Sequence, residues 1–361
     1  MLLIDVRTEG ALQGALDRLI EESDGLGVTA AVRCEGLGSW VGASGSLDLL
    51  RQIAMPVDAC FPVYSITKTV IAVCLLRLAE LRTLAIDDSI SCWVADLPFG
   101  DDVSLRQLLN HTAGVPNYSD LPEQISALKA SPGKAWTFEQ IIEHTCHRGL
   151  DFSPGEGWCY SNTGYALLTR AVELANATSF AEAVQQHIAG PLGHTSTAVV
   201  EGRASFERLV PGFSRDFHRK AELEDVRSIY DPRWVAHGLV SSTAAEIGEF
   251  FQALFGGKLV QRDSLEAMTQ LVRVPGDHPP AVSASYGLGL MSDPDGIYGP
   301  DFSHGGGGPG YSLYAGCHRE FSGRRVSAAV FCNTDEVDAT KLWYGILAAL
   351  QPELGETFAL C

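Results

Sequence analysis

Residues 303–333 read SHGGGGPGYSLYAGCHREFSGRRVSAAVFCN, and this stretch decides the fold. Its second part holds two largely apolar segments, GYSLYAGCHR (310–319) and RRVSAAVFCN (324–333), whose composition predicts two β-strands near the end of the chain. The four glycines in front of them, Gly305 to Gly308, carry a high backbone entropy cost. Such a run indicates a place where the main chain must approach another group closely.

Strand patterns occur at both ends of the chain and helical patterns lie between them. The early strands are GVTAAVRCEG (27–36) and GSWVGASG (38–45), behind a helix at about 10–23. Helical segments dominate from about 67 to 260, and an amphipathic helix at 338–350 closes the chain. We therefore predict an α+β fold, in which an antiparallel sheet from both chain ends is flanked by the terminal helices and carries an inserted, mostly helical lobe.

The predicted organisation is one domain, 1–361, made of two lobes. Residues 1–80 plus 280–361 form the α/β lobe, and 81–279 form the mostly helical lobe. A chain of 361 residues that is 46% apolar can bury the core that this arrangement needs. The cleft between the lobes is the expected place for a site.

The charge balance argues against several classes of partner. With 26 basic and 44 acidic residues the net charge is −18, which repels nucleic acid and anionic lipid alike. No apolar run approaches the length of a membrane span, and the start MLLIDVRTEG lacks the basic end and apolar core of a secretory signal. We expect a small-molecule or short-peptide substrate and a cytoplasmic protein, or a periplasmic or secreted one whose signal was removed; the oligomeric state is left open.

The nine cysteines are scattered, and most lie in apolar segments, which favours reduced, buried thiols. The nearest approach to a metal motif is His144-Thr-Cys-His147, without a second ligand cluster in the sequence. We expect a structural role for these residues, and neither a metal nor an organic cofactor.

Ser65 and Lys68, in FPVYSITKTVIAVCLLRLAE, form the first candidate catalytic pair. Residues i and i+3 lie on one face of a helix, so the lysine can reach the serine hydroxyl. A buried lysine loses basicity enough to be neutral and to take that proton. The alternative is that Ser65 caps the helix and Lys68 is solvated.

Two further motifs follow. Tyr160 and Asn162, in GEGWCYSNTGYALLTRAVE, present a phenol and an amide at the mouth of a helix, where they could relay a proton and hold a carbonyl, or merely pack and cap. His304 precedes the glycines. A dinucleotide-binding reading of these glycines fails because a strand follows them, and a lipase-type reading fails because no G-x-S-x-G elbow exists in the chain.

Together, Ser-x-x-Lys at 65–68, Tyr-x-Asn at 160–162 and His-Gly-Gly at 304–306 resemble the motifs of the penicillin-recognising serine hydrolases. That superfamily includes class C β-lactamases, D-alanyl-D-alanine carboxypeptidases, D-aminopeptidases, D-amino-acid amidases and β-lactamase-like esterases. LRQLLNHTAGVPNY and HGLVSSTAAEIGEFFQALFGG also resemble its segments, so the likeness runs from about residue 10 to 350.

The resemblance implies a mechanism. Ser65 would form an acyl-enzyme with Lys68 as proton acceptor, Tyr160 would shuttle protons, and Asn162 would bind the acyl side of the substrate. The backbone N–H groups of Ser65 and Gly307 would form the oxyanion hole. His304 would lie on a strand at the cleft edge beside Tyr160.

The third motif departs from the family pattern. Most relatives have Lys-Thr-Gly or His-Thr-Gly there, whereas this chain has His304, Gly305 and Gly306, so the hydroxyl that helps to hold a substrate carboxylate is missing. We therefore predict a serine hydrolase for esters or amides, of esterase, D-amino-acid amidase or D-aminopeptidase type. The alternatives are a carboxypeptidase or β-lactamase, and a catalytically silent binding protein.

Candidate substrate-binding residues are Gly305, Gly306, Trp234 and Tyr311. Each of the two aromatic side chains could instead belong to the core. If YSLYAGCHR is a regular strand, Tyr311 and Tyr314 point to opposite faces, and at most one of them lines the cleft. The loops at 115–135 and 274–285 would shape the substrate pocket.

Overall fold

The computed structural model describes residues 4–23, 25–217 and 222–354. Cys361 lies outside these ranges, and the cysteines within them are free thiols. Most of the helices lie between residues 67 and 268, as the pattern predicts. Their bounds are α1 (Val6–Glu21), α2 (Thr67–Glu80), α3 (Leu105–Leu109), α4 (Pro122–Ala130), α5 (Phe138–His144), α6 (Asn162–Asn176), α7 (Phe180–Val184), α8 (Gly190–Leu192), α9 (Arg203–Phe206), α10 (Ala244–Phe255), α11 (Arg262–Met268) and α12 (Ala339–Leu350).

Eight strands form the main sheet, in the order β2-β1-β13-β12-β11-β10-β9-β8, with antiparallel neighbours throughout. Two smaller sheets lie outside it, β3-β7-β4 and β5-β6. The strand bounds are β1 (Gly27–Cys34), β2 (Gly38–Gly45), β3 (Phe61–Pro62), β4 (Ala198–Val199), β5 (Phe213–Ser214), β6 (Glu224–Asp225), β7 (Val240–Ser242), β8 (Val272–Arg273), β9 (Ser285–Tyr286), β10 (Met291–Ser292), β11 (Asp301–Gly308), β12 (Tyr311–Phe321) and β13 (Arg324–Cys332).

The main sheet joins the two chain ends, because β1 pairs with β13 from Val28↔Cys332 to Cys34↔Val326. The predicted fold class is thereby confirmed. The boundaries of the two lobes stay a prediction.

Two cores cover the two faces of the sheet, because side chains alternate along each strand. On β13, Val326, Ala328 and Val330 pack with the terminal helices α1 and α12, whereas Ala329 and Phe331 join the larger core beneath the helical region. The helix α2 runs through that larger core, and eleven of its fourteen residues are buried. It therefore offers a rigid, water-excluded support for any residue at its start.

The glycine run forms the second half of β11, which pairs with β12 from Asp301↔His318 to Gly308↔Tyr311. Glycine has low strand propensity, so the pattern alone did not predict this strand; only the family resemblance placed His304 on one. On its other side β11 pairs with β10 only at Met291↔Ser303. The backbone from His304 onward therefore forms a free edge that faces the helical region. Among the residues described, no helix has the length and apolar character needed to cross a membrane.

Candidate active site

Ser65 lies in a short 3₁₀ turn, Tyr64–Ile66, that connects β3 to α2. Tyr64 has a φ of +42°, a left-handed conformation that residues other than glycine rarely adopt. Such a conformation persists only where its surroundings hold it. Tyr64 is buried, and its hydroxyl donates to the Pro309 carbonyl at 3.1 Å. The turn leaves the side chain of Ser65 partly exposed at the start of a buried helix.

Lys68 is fully buried in the first turn of α2. Its Nζ lies 3.1 Å from Ser65 Oγ and 2.7 Å from Asn162 Oδ1. Burial lowers the pKa of this amine well below its ordinary value, and no carboxylate of the described residues opposes that shift. A neutral lysine at hydrogen-bond distance from Ser65 can accept the hydroxyl proton. The solvated alternative for Lys68 is therefore wrong.

Tyr160 lies on the segment before α6, half-buried, with its ring facing Lys68; the ring centroid is 4.8 Å from Nζ. Burial raises the pKa of the phenol, and a hydrogen bond between its hydroxyl and the Ser65 side chain partly offsets the rise. The phenol is therefore neutral near pH 7. A neutral phenol beside Ser65 can donate and accept a proton in turn.

Asn162 is the first residue of α6 but not its cap. The N-cap is Ser161, whose hydroxyl accepts from the Gly164 N–H. The side chain of Asn162 is oriented by its Nδ2 group, which donates to Ser119 Oγ at 3.0 Å. Its Oδ1 atom is thus the one that faces Lys68, as an acceptor.

His304 is fully buried on β11. Its Nδ1 lies 2.7 Å from the Gly305 carbonyl oxygen, and its Nε2 lies 2.8 Å from the Tyr286 hydroxyl. A carbonyl oxygen can only accept, so Nδ1 carries the proton and Nε2 accepts from Tyr286. Burial, with the charge of Lys68, lowers the pKa of His304 to about 3. The centroid of this neutral imidazole lies 6.4 Å from that of the Tyr160 ring. The imidazole is therefore a buried neighbour of Tyr160 that is held in place by Tyr286 and the Gly305 carbonyl.

The glycines of β11 alternate in what surrounds them. A Cβ on Gly306 would lie 2.5 Å from the Val63 carbonyl oxygen, and one on Gly308 would lie 2.0 Å from the Tyr64 ring. A Cβ on Gly307 would meet nothing within 4 Å. Two of the glycines thus permit β11 to pack against the turn that carries Ser65, as the run of glycines indicates, while Gly307 faces open space.

A cavity of about 310 Å³ opens beside Ser65. Its walls are polar or aromatic for the most part, and no carboxylate side chain is among them. The one ammonium group in the wall belongs to the exposed Lys129. The lining residues are Tyr64, Ser65, Tyr118, Ser119, Gln124, Ile125, Leu128, Lys129, Asn162, Tyr230, Trp234, Val235, His237, Gly307, Gly308 and Pro309.

Comparison with known proteins identifies the family of the chain. The family model described as "Beta-lactamase" matches residues 16–351. The chain belongs to the beta-lactamase family. It is 29% identical over 279 residues to penicillin-binding protein 4* of Bacillus subtilis (strain 168), over 74% of this chain and 60% of that protein. It is 26% identical over 193 residues to esterase EstB of Burkholderia gladioli, over 50% of this chain and 49% of the esterase.

Among solved structures, a D-stereospecific amidohydrolase from Streptomyces sp. superposes on the present chain with a TM-score of 0.78. The identity is 28%, and the match covers 93% of this chain and 97% of that one. The chain spans about 60% or less of the length of the two curated relatives. The likeness to the amidohydrolase extends over nearly the whole of both proteins.

The candidate substrate-binding aromatics lie in different places. Trp234 is buried in the cavity wall, and its Nε1 donates to the Pro132 carbonyl at 2.8 Å. Tyr311 is fully buried outside that wall, where its hydroxyl donates to the Val210 carbonyl at 2.7 Å. Tyr311 and Tyr314 do point to opposite faces, since Tyr314 packs on Trp343 of α12. Neither strand tyrosine borders the cavity beside Ser65.

The two predicted substrate loops also separate. The segment 115–135 contributes Tyr118, Ser119 and residues of α4 to the cavity beside Ser65. The segment 274–285 instead borders a second cavity of about 240 Å³, next to Trp158 and Tyr286. No group of three or more potential metal ligands occurs among the described residues. His144 stacks on Trp136 with ring centroids 4.4 Å apart.

Two buried histidines of the site were not predicted. His111 accepts from the Ser161 N–H at 3.1 Å through Nδ1, and its ring packs on Tyr160 with centroids 4.3 Å apart. Its position in LRQLLNHTAGVPNY was a usable signal, because that stretch already resembled a family segment. His237 lies 3.4 Å from Lys68, Nε2 to Nζ. It begins HGLVSSTAAEIGEFFQALFGG, the other stretch that resembled a family segment, so the same kind of signal was present.

Proposed function

We propose that the protein is a serine hydrolase that cleaves esters or amides through an acyl-enzyme on Ser65. One observation carries the proposal: the partly exposed Ser65 hydroxyl lies 3.1 Å from Nζ of Lys68. This lysine is fully buried, and burial lowers the pKa of its amine. A merely structural lysine has no physical need of such a site, because desolvation without a counter-charge is unfavourable.

The first step transfers the Ser65 hydroxyl proton to Lys68 as Oγ bonds to the substrate carbonyl carbon. The carbonyl electron pair moves to its oxygen, which the backbone N–H groups of Ser65 and Gly307 would stabilise; both residues line the cavity. When the tetrahedral intermediate collapses, the bond to the leaving group breaks and Tyr160 supplies its proton.

Deacylation repeats these steps with water as nucleophile. Tyr160, now deprotonated and close to the ammonium of Lys68, takes a proton from the water as its oxygen bonds to the acyl carbon. When the second tetrahedral intermediate collapses, the bond between the acyl carbon and Ser65 Oγ breaks, the acid leaves, and the Lys68 ammonium returns its proton to Oγ. Asn162 would hold the acyl side of the substrate while its Oδ1 keeps Lys68 in place.

The third motif lacks the groups that would hold a substrate carboxylate. Gly305 brings no hydroxyl, and His304 is neutral and fully buried, so neither can hold a substrate carboxylate as Lys-Thr-Gly would. Esters and amides without that carboxylate fit better, including D-amino-acid amides and short peptides cleaved from the N-terminal side. The names of the esterase and D-stereospecific amidohydrolase relatives support this choice.

A D-alanyl-D-alanine carboxypeptidase or β-lactamase is the second candidate. The exposed Lys129 in the cavity wall favours it, because an ammonium there could attract a substrate carboxylate. The penicillin-binding relative supports the same option. A silent binding protein is the third candidate, and its site would not acylate.

The test is intact-mass spectrometry after exposure to a fluorophosphonate. We expect one adduct on the wild type, none on Ser65→Ala, and an adduct on the control Ser119→Ala, whose serine lines the same cavity without a lysine partner. Turnover of p-nitrophenyl acetate, D-alanine p-nitroanilide and nitrocefin then ranks the substrates. An adduct that persists in Ser65→Ala contradicts the nucleophile, and leading turnover of nitrocefin selects the second candidate.

A further inference from the structure

His237 occupies the stretch between Trp234 and β7 and is only 2% exposed. Its carbonyl accepts from Thr169 Oγ1 of α6 at 2.7 Å, which fixes the main chain at this point. The ring borders the cavity beside Ser65. Its Nε2 lies 3.4 Å from Lys68 Nζ, so the imidazole is close enough to exchange a hydrogen bond with the amine.

The amine of Lys68 has three polar neighbours: Ser65 Oγ at 3.1 Å, Asn162 Oδ1 at 2.7 Å and His237 Nε2 at 3.4 Å. A neutral amine has two N–H donors and one lone pair. Asn162 Oδ1 takes one donor, because its amide is oriented by Ser119. The other donor and the lone pair must be shared between Ser65 and His237.

The protonation of His237 decides that division. If Nε2 carries the proton, it donates to the lone pair, and Lys68 must donate to Ser65, which is the wrong direction for a base. If Nδ1 carries the proton, Nε2 accepts the second N–H and the lone pair points at Ser65 Oγ. Only the second arrangement prepares proton transfer.

We propose that His237 is a positioning residue for Lys68: its unprotonated Nε2 accepts an N–H of the neutral amine and directs the amine lone pair at Ser65 Oγ. This inference rests on the proposed function. After transfer, the ammonium has three N–H donors and needs three acceptors, and the same tautomer supplies the third. The neighbours of Nζ therefore keep their places while the Ser65 O–H bond breaks and the new N–H bond forms.

The electrostatic setting agrees with a neutral imidazole. Burial, and then the charge of Lys68, lowers the pKa of His237 well below its ordinary value. The titratable groups that face the pair are Tyr160 and Tyr165, whose pKa values burial raises, and His111 and His304, whose pKa values burial lowers. All four are uncharged near neutral pH. The acid limb of Ser65 reactivity therefore reports protonation of Lys68.

The test measures the rate constant of fluorophosphonate labelling of Ser65 against pH. For His237→Phe we expect a plateau lowered about 10- to 100-fold, since a mispositioned catalytic group loses rate on this scale. We also expect the acid limb to move to lower pH, because the ammonium loses a charge-assisted hydrogen bond. His237→Gln, which restores an acceptor oxygen at similar reach, regains most of the plateau and the limb.

His318→Phe is the matched control. His318 is equally buried and stacks on Trp343 beneath the opposite face of the sheet, away from Lys68. The His318→Phe variant should leave the acid limb of the labelling profile unmoved. If His237→Phe fails to fold, His237→Asn replaces it, because the shorter amide cannot reach Nζ.

The possible results distinguish failure of the proposed function from failure of the positioning role of His237. A wild type that does not label contradicts the proposed function itself. A wild type that labels while His237→Phe keeps its plateau and limb overturns the positioning role. The same holds if Phe and Gln variants are equally impaired with an unmoved limb, since that pattern would show a packing role alone.

Discussion

Gly306→Ala tests whether the close approach of β11 to the Ser65 turn organises the site. The new Cβ would lie 2.5 Å from the Val63 carbonyl oxygen, and a real Cβ essentially never comes closer than 3.0 Å to such an atom. The obstacle is backbone and cannot rotate away. Strand and turn must therefore separate by at least about 0.5 Å, a form of overpacking that typically costs about 1–3 kcal/mol of stability.

The same displacement acts on the catalytic geometry. Val63 is two residues before Ser65, and Gly307, the second expected oxyanion donor, follows Gly306 directly. A displacement approaching 1 Å costs about 100-fold in rate, so we expect a fall of about 10- to 100-fold in turnover of p-nitrophenyl acetate. Thermal unfolding should occur a few degrees lower, in line with the overpacking.

Gly307→Ala is the control for folding. Its Cβ meets nothing within 4 Å, and alanine is favoured over glycine in a strand by about 0.5–1 kcal/mol, so the melting temperature should stay level or rise. A Gly306→Ala variant with wild-type melting and wild-type turnover would refute the reasoning, since β11 would then be free to separate from the turn without consequence.

Three further predictions follow from the same site. Lys68→Met keeps the buried volume and removes the base, so fluorophosphonate labelling should fall by about 10²- to 10⁴-fold with no loss of melting temperature; near-normal labelling would contradict the role of Lys68. His304 has a folded pKa of about 3 against 6.5 when unfolded, so the unfolded chain binds the extra proton and stability rises with pH across that window. Denaturant titrations should show a shallower rise for His304→Gln, and an identical slope would contradict the neutral, buried imidazole. Gly305→Thr places a Cβ at ordinary contact, 3.6 Å from the Tyr314 ring, and adds the missing hydroxyl. Turnover of nitrocefin relative to p-nitrophenyl acetate should rise about tenfold or more, the worth of a hydrogen bond to a charged group, and an unchanged ratio would refute the argument from Gly305.

The sequence predicts the sheet and the long helices because their side-chain periods are strong. The alternation on β13 and the continuous apolar surface of α2 both survive into the two cores. It predicts β11 poorly, because the glycines that form it carry no side chains to alternate. Gly306 and Gly308 are needed because Val63 and Tyr64 pack against them. This reason for the glycines becomes visible only when the positions of Val63 and Tyr64 are known.

The site divides in the same way. Ser65 and Lys68 are predictable because one helical turn brings them together, whereas His237 reaches Lys68 across 169 residues of chain. Tyr311 is a different case. It has the same local signals as an aromatic wall residue, but its strand face directs it to the Val210 carbonyl in the core. Local pattern gives the face alternation, and only the packed sheet tells which face meets the cavity.

The buried groups around Lys68 are neutral, and within the part of the chain that the structure describes no opposite charge balances the amine. The chain as a whole carries −18, yet no carboxylate borders the cavity beside Ser65, and burial lowers the pKa values of Lys68, His111, His237 and His304 together. A carboxylate near Nζ would hold the lysine as an ammonium and would prevent the proposed function of Lys68 as a base.

Because the groups around Lys68 are neutral at rest, proton transfer from Ser65 in the proposed mechanism would create a buried cation at Lys68 at the moment when negative charge develops on the substrate oxygen. The two charges then stabilise each other in a medium that screens them weakly. In the proposed mechanism the neutrality of the groups around Lys68 is thus favourable only along the reaction coordinate, which is where an enzyme gains rate from it.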